Sequence, residues 1–185
     1  MITAENLTKR QGPHTVLDAF DLSVAPGELV ALVGPSDAGK TTALDLIEGL
    51  QVPNAGRITV AGFDLAREPT QARAHLACVP ARLALPEKAS GLSHLRDACA
   101  RLGRRIPAPV LVAALLRGGP PAEWHPRRLR RRGLAILLAT RDLAFARRLA
   151  TRIVLLEGGA VIETFDPNAP RHAAEARANL ADLIA

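Results

Sequence analysis

The chain has 185 residues, 48% of them hydrophobic and 23% charged, with a net charge of +6 and two cysteines. That is long enough to bury one core and too apolar for a disordered chain. The longest apolar runs, Leu134 to Ala139 and Val110 to Leu116, fall well short of the roughly 20 residues that span a bilayer.

In chain order, the first strand signal is Val16 to Val24, where Val16, Phe20, Leu22 and Val24 share one face. Pro26-Gly27 turns the chain into Leu29 to Val33, a continuous apolar run of the kind buried on both faces of a parallel sheet. Gly34 to Gly39 breaks that run. Lys40 to Glu48 reads as a helix ended by Gly49 at the position after the cap. Pro53 to Gly56 turns into an alternating strand, Arg57 to Ala61, with Ile58 and Val60 on one face. Further strands are expected at His75 to Val79, Val110 to Ala114, Leu134 to Ala139 and Ile153 to Leu156, and Gly158-Gly159 leads a hairpin into Ala160 to Thr164. Helices are expected at Leu92 to Leu102, Pro126 to Arg132, Leu143 to Ala150 with Asp142 as cap, and Arg171 to Ile184. Alternating strands and helices imply an α/β core with a parallel sheet, and the early and late hairpins a small antiparallel annex.

Composition limits the partners. Only Lys9, Lys40 and Lys88 are lysines; the other 21 basic residues are arginines. The dense run Arg127, Arg128, Arg130, Arg131, Arg132 has no aromatic residues interleaved for stacking on bases, so it reads as a solvated helix face and no nucleic-acid partner is expected. Trp124 reads as a packing anchor. His75, His94, His125 and His172 lack metal-ligand spacing. Cys78 and Cys99 are too few for a disulfide scaffold, and the first ten residues hold no hydrophobic signal segment. The expectation is therefore a soluble chain in the cytoplasm.

One segment carries chemistry. Gly34-Pro35-Ser36-Asp37-Ala38-Gly39-Lys40-Thr41, followed by Thr42, fits the phosphate-loop pattern G-x-x-x-x-G-K-[ST] in full, between a buried strand and a helix. In such a loop successive backbone N–H groups curl around phosphates at the positive end of the helix. Lys40 would reach the outer phosphates, and the Thr41 hydroxyl is the candidate ligand for Mg²⁺.

Two longer stretches, "ENLTKRQGPHTVLDAFDLSVAPGELVALVGPSDAGKTTALDLIEGLQVPNAGRITVAGFDL" and "LAILLATRDLAFARRLATRIVLLEGGAVIE", make the chain resemble an ATP-binding cassette (ABC) transporter ATPase, the nucleotide-binding subunit of membrane transporters. The resemblance implies a phosphate-loop NTPase core with a parallel sheet, a small antiparallel β-subdomain and a reduced helical subdomain. It implies ATP and Mg²⁺ as cofactors. It also implies a separate transmembrane permease, a homodimer or a heterodimer with a complete ABC ATPase, and a cytoplasmic place at the inner face of the membrane. The expected layout is a β-subdomain over about 1–28 and 56–66, a core over 29–55, 70–82 and 109–165, a reduced helical region over 88–108, and a C-terminal helix over 171–184.

The departures from the family's pattern define the function more narrowly. Gln11 stands where the family has an aromatic residue for the adenine, with His14 nearby, and Asp37 replaces a glycine of the loop. Ala81 occupies the place of the glutamine that relays to the permease, and Arg141 that of the switch histidine. An arginine there either neutralises terminal-phosphate charge or faces solvent without a role. Aligning the family's carboxylate-bearing strand with Pro109 to Leu116 puts Ala114 at the Mg²⁺-organising aspartate and Leu115 at the glutamate base. No Asp-Glu pair exists in the chain, and neither Leu116 to Pro120 nor Leu92 to Leu95 is an adequate signature motif. Ala81 and Ala114 stand only 33 positions apart, so the helical part that docks on the permease is expected to be mostly deleted. The sequence leaves three readings: an ATP-binding subunit with weak or absent hydrolysis, a non-catalytic regulatory or scaffold protein, and a small phosphate-loop kinase.

Overall fold

The computed structural model describes residues 1–79, 111–115 and 133–169. Along the chain run β1 (Ile2–Gln11), β2 (His14–Val24), β3 (Leu29–Val33), α1 (Lys40–Ile47), β4 (Ala55–Val60), β5 (Phe63–Asp64), α2 (Pro69–Arg73), β6 (Leu76–Val79), β7 (Leu111–Leu115), β8 (Ile136–Thr140), α3 (Leu143–Leu149), β9 (Arg152–Glu157) and β10 (Ala160–Phe165). Strands β2-β1-β4-β5 form an antiparallel sheet, and β10-β9-β3-β8-β7-β6 a six-stranded one. In the larger sheet every neighbouring pair is parallel except β10 with β9. This is the α/β architecture expected from the sequence, with its antiparallel annex.

The apolar run Leu29 to Val33 explains the layering. All five residues are fully buried, and successive side chains of a strand point to opposite faces. Val30 and Leu32 pack in one core cluster with Leu44, Leu46 and Ile47 of α1 and with Ile2, Phe20 and Val60 of the antiparallel sheet. Leu29, Ala31 and Val33 pack in a second cluster with Phe145 and Ala146 of α3. A strand covered on both sides has no polar face to show, hence no alternation. Each such burial contributes about 1.5–3 kcal/mol for a Val or Leu side chain.

The antiparallel sheet departs from the sequence reading in three places. β1 is a ten-residue strand at the centre of that sheet that periodicity did not announce. Asn6 adopts φ +50°, and the pairing with β2 shifts register three times, so no alternation of period two survives. In β2, Leu17 is fully buried and Val16 only half-buried, although Val16 was expected on the inward face. Ala19 at φ +44° lies in a bulge that lets Leu17 and Phe20, three residues apart, both face the core. The strand expected to run to Ala61 stops at Val60, because Ala61 and Gly62 adopt φ +53° and +90° and turn the chain into β5. The short α2, begun by Pro69, is below the length at which periodicity can be read. The helices expected at 92–102, 126–132 and 171–184 lie outside the described residues.

Candidate functional site

The site is built at the carboxyl edge of the parallel sheet, where open α/β folds bind ligands. β3 lies between β9 and β8, and residue 34 begins the loop that leaves it. Gly34 is buried, and a Cβ at this position would stand 2.1 Å from the Leu156 carbonyl oxygen at the end of β9. Only a glycine lets the two backbones approach so closely. Asp37 and Gly39 adopt left-handed conformations, φ +63° and +95°, which curl the loop before α1 begins at Lys40. The aspartate thus holds the conformation that a glycine would supply at less cost, about 1 kcal/mol for an L-residue. Ala38 is 2% exposed and packs in the first core cluster, anchoring the curl from below.

α1 opens with no side-chain cap and no acidic residue in its first turn. Its positive end is therefore left for an anion. Lys40 folds back over the loop: its Nζ donates to the Gly34 carbonyl at 2.8 Å and to the Pro35 carbonyl. Thr41 is exposed, and Thr42 is buried. Exposed side chains at Ser36 and Asp37 complete the outer rim. This donor set fits a phosphate chain. For Mg²⁺ it offers the exposed Thr41 hydroxyl, and the matching carboxylate is wanting at β7.

Two neighbouring strands bring further residues to the same edge. β8 pairs with β3 at Val33 and Thr140, so Arg141 leaves its strand level with Gly34. Arg141 is exposed, and its Nη1 donates to the Ser36 Oγ at 3.0 Å. It therefore meets the phosphate loop rather than standing in solvent without a contact. Asp142 caps α3 as expected, its Oδ1 accepting from the Phe145 N–H at 2.8 Å. β7 pairs beyond β8, Ala114 with Leu138 and Leu115 with Ala139. It lies two strand spacings, about 10 Å, from β3. Its carboxyl end carries Ala114-Leu115 and hence no carboxylate. Gln11 and His14 pair with each other at the β1–β2 hairpin, and both are exposed. Ala81, the two faint signature candidates, Trp124 and the arginine run lie outside the described residues.

The sequence did not reveal what braces the loop. The Gly158-Gly159 turn was anticipated as a hairpin, but it also sits against the phosphate loop's support. A Cβ at Gly159 would stand 2.4 Å from the Val16 carbonyl oxygen, and one at Gly39 would stand 2.7 Å from the same atom. The Asp18 N–H donates to the Gly159 carbonyl at 3.1 Å, joining the two sheets beside the site. Glycine-glycine was the only trace of this junction in the sequence.

A family model described as "ABC transporter" matches residues 17–142, more than half of the chain. The chain belongs to the ABC transporter family. Among its relatives is the daunorubicin resistance ATP-binding protein of Streptomyces coeruleorubidus, 40% identical over 94 residues, which are 51% of this chain and 29% of that protein. The Fe(3+) ions import ATP-binding protein of Agrobacterium fabrum is 30% identical over 234 residues, covering 99% of this chain and 65% of that one. That span exceeds the 185 residues here, so the relative carries stretches with no counterpart in this ABC protein. The chain spans between a fifth and two thirds of the length of these curated relatives, 20% at the low end in the Fe(3+) import protein of Brucella suis. Its fold is that of the ATP-binding subunit of an ABC transporter, with a TM-score of 0.72, 24% identity and coverage of 97% and 94% of the two chains. A nucleotide-free ATP-binding cassette from an ABC transporter gives 0.72 at 15% identity, covering 99% and 98%. Among the described residues no helix is long and apolar enough to cross a membrane.

Proposed function

We propose that this chain is the ATP-binding subunit of an ABC transporter, binding Mg-ATP through residues 34–42 and hydrolysing it slowly or not at all on its own. The observation that carries the proposal is the loop itself: a glycine-rich curl between a buried strand and the uncapped start of α1, with Lys40 held across it. Binding exchanges acceptors on Lys40. Its ammonium leaves the Gly34 and Pro35 carbonyls for phosphate oxygens, which carry full negative charge and bond about twice as strongly. The backbone N–H groups at the start of α1 then meet the phosphates, and Thr41 holds Mg²⁺, which neutralises phosphate charge.

Slow turnover follows from β7. A general base commonly supplies 10²–10⁴-fold in rate, and Ala114 and Leu115 offer neither a base nor a metal ligand. Work on a transported substrate would then need a transmembrane permease and a second ATPase chain, at the cytoplasmic face of the membrane.

Thermal unfolding with and without Mg-ATP, in the wild type and Lys40→Ala, tests the reading. Saturation at a hundred times Kd stabilises by about 2.7 kcal/mol, a rise of roughly 5 °C in Tm for a domain of this size. Lys40→Ala removes the rise, and steady-state ATP hydrolysis stays near background in both proteins. No rise at millimolar Mg-ATP overturns the proposal in favour of a scaffold protein. Hydrolysis that appears only with a phosphoryl acceptor favours a kinase.

A further inference from the structure

We propose that Arg141 reads the terminal phosphate of the bound nucleotide, making the loop selective for a triphosphate over a diphosphate. The inference rests on the nucleotide-binding reading above and goes beyond it. Gly34 and Arg141 are the first residues past two adjacent parallel strands paired at Val33 and Thr140, which sets the arginine at the rim of the loop. Its Nη1 lies 3.0 Å from the Ser36 Oγ. Among the described residues it makes no ion pair, the two that occur being Arg57–Asp64 and Arg152–Glu28. The charged groups around it are Asp37 and Lys40 of the loop and Asp142, whose carboxylate is engaged in capping α3.

A guanidinium carries five N–H donors in a fork, and its best acceptor is a pair of anionic oxygens. In the nucleotide-free loop one donor is spent on a neutral hydroxyl at the solvent edge. Lys40 sits at the other flank, bonded to the first two residues of the loop. A phosphate chain laid along the loop from Lys40 extends toward Ser36 and Arg141 at its outer end. A third phosphate then replaces the Ser36 hydroxyl as the acceptor, with charge added. A diphosphate leaves the Arg141–Ser36 contact in place. Hydrogen bonds to charged groups correspond to about ten- to a hundredfold in affinity.

Titration calorimetry with Mg-ATP and Mg-ADP on the wild type, Arg141→Ala, Arg141→Lys and Arg141→His provides the test. The wild type prefers ATP by tenfold or more. Arg141→Ala weakens ATP at least tenfold and leaves ADP unchanged, and Arg141→Lys restores part of the difference. A guanidinium does not titrate in the working range, whereas a histidine does near pH 6.5. The preference is therefore flat from pH 6 to 8 in the wild type. In Arg141→His it is present at pH 6 and lost at pH 8, a signature that a merely structural contact would not produce. Equal weakening of both nucleotides by Arg141→Ala, or none, overturns the assignment while leaving the binding reading intact. A wild type that binds neither nucleotide overturns both.

Discussion

Replacing Gly34 with alanine adds a single methyl at the point where the loop leaves β3. The new Cβ would stand 2.1 Å from the Leu156 carbonyl oxygen, 3.1 Å from its carbon and 3.1 Å from the Ala38 Cβ. Carbon–oxygen contacts relax at about 3.3 Å, so the two backbones must separate by more than about 1 Å. No side-chain rotation relieves the clash. Gly34 follows β3 and Leu156 lies in β9, and these strands are paired one step earlier at Val33 and Leu155. Overpacking costs about 1–3 kcal/mol, and a backbone-to-backbone clash belongs at the upper end, about 3 kcal/mol. With a urea m-value of about 2 kcal/mol/M, the unfolding midpoint falls by about 1.5 M. Gly12 is the control: a Cβ there meets nothing within 4 Å, and the site carries only the strain of φ +60°, about 1 kcal/mol. Urea unfolding of Gly34→Ala and Gly12→Ala, read at constant m, compares the two. A midpoint for Gly34→Ala within about 0.3 M of wild type, or above that of Gly12→Ala, refutes the close-approach argument.

Two further outcomes concern stability away from the loop. Burial alone would raise the Glu28 carboxyl, but the hydrogen bond from Arg152, the bond from the Ala25 N–H and the charge of Arg152 together hold it below its ordinary value near 4.5. A carboxyl lowered in the folded state contributes stability that is full above its unfolded value and is lost as pH falls through the folded one. Glu28→Gln, which breaks the 2.7 Å ion pair with Arg152, therefore costs about 1–2 kcal/mol at pH 7. The difference from wild type disappears as acid titrates the carboxyl; a gap that stays constant from pH 7 to pH 3 in urea unfolding contradicts this. Asp142→Ala removes the cap of α3 and lowers stability by about 1 kcal/mol, whereas Asp142→Asn retains it; equal midpoints for the two variants would show that the cap contributes nothing.

Features written in short-range chemistry were legible before any tertiary contact was known. The run Leu29 to Val33, the glycine-rich loop, the Gly49 that ends α1 at φ +71°, the Asp142 cap and the Gly158-Gly159 hairpin all stand where residue type and spacing placed them. Each depends on φ/ψ preference, capping or burial pattern within about ten residues. The outcomes that depended on register were not legible. β1 hides because a left-handed Asn6 and repeated slips erase its alternation, and Leu17 faces the core only because Ala19 bulges. The Gly34 approach to Leu156 and the Arg141 bond to Ser36 join residues more than a hundred positions apart. Only the order β9-β3-β8 makes them neighbours. The sequence by itself determined that a phosphate loop is present and that β7 ends without a carboxylate. The tertiary structure decided which backbone supports that loop and which cation stands at its rim, because both follow from strand pairing rather than from local preference.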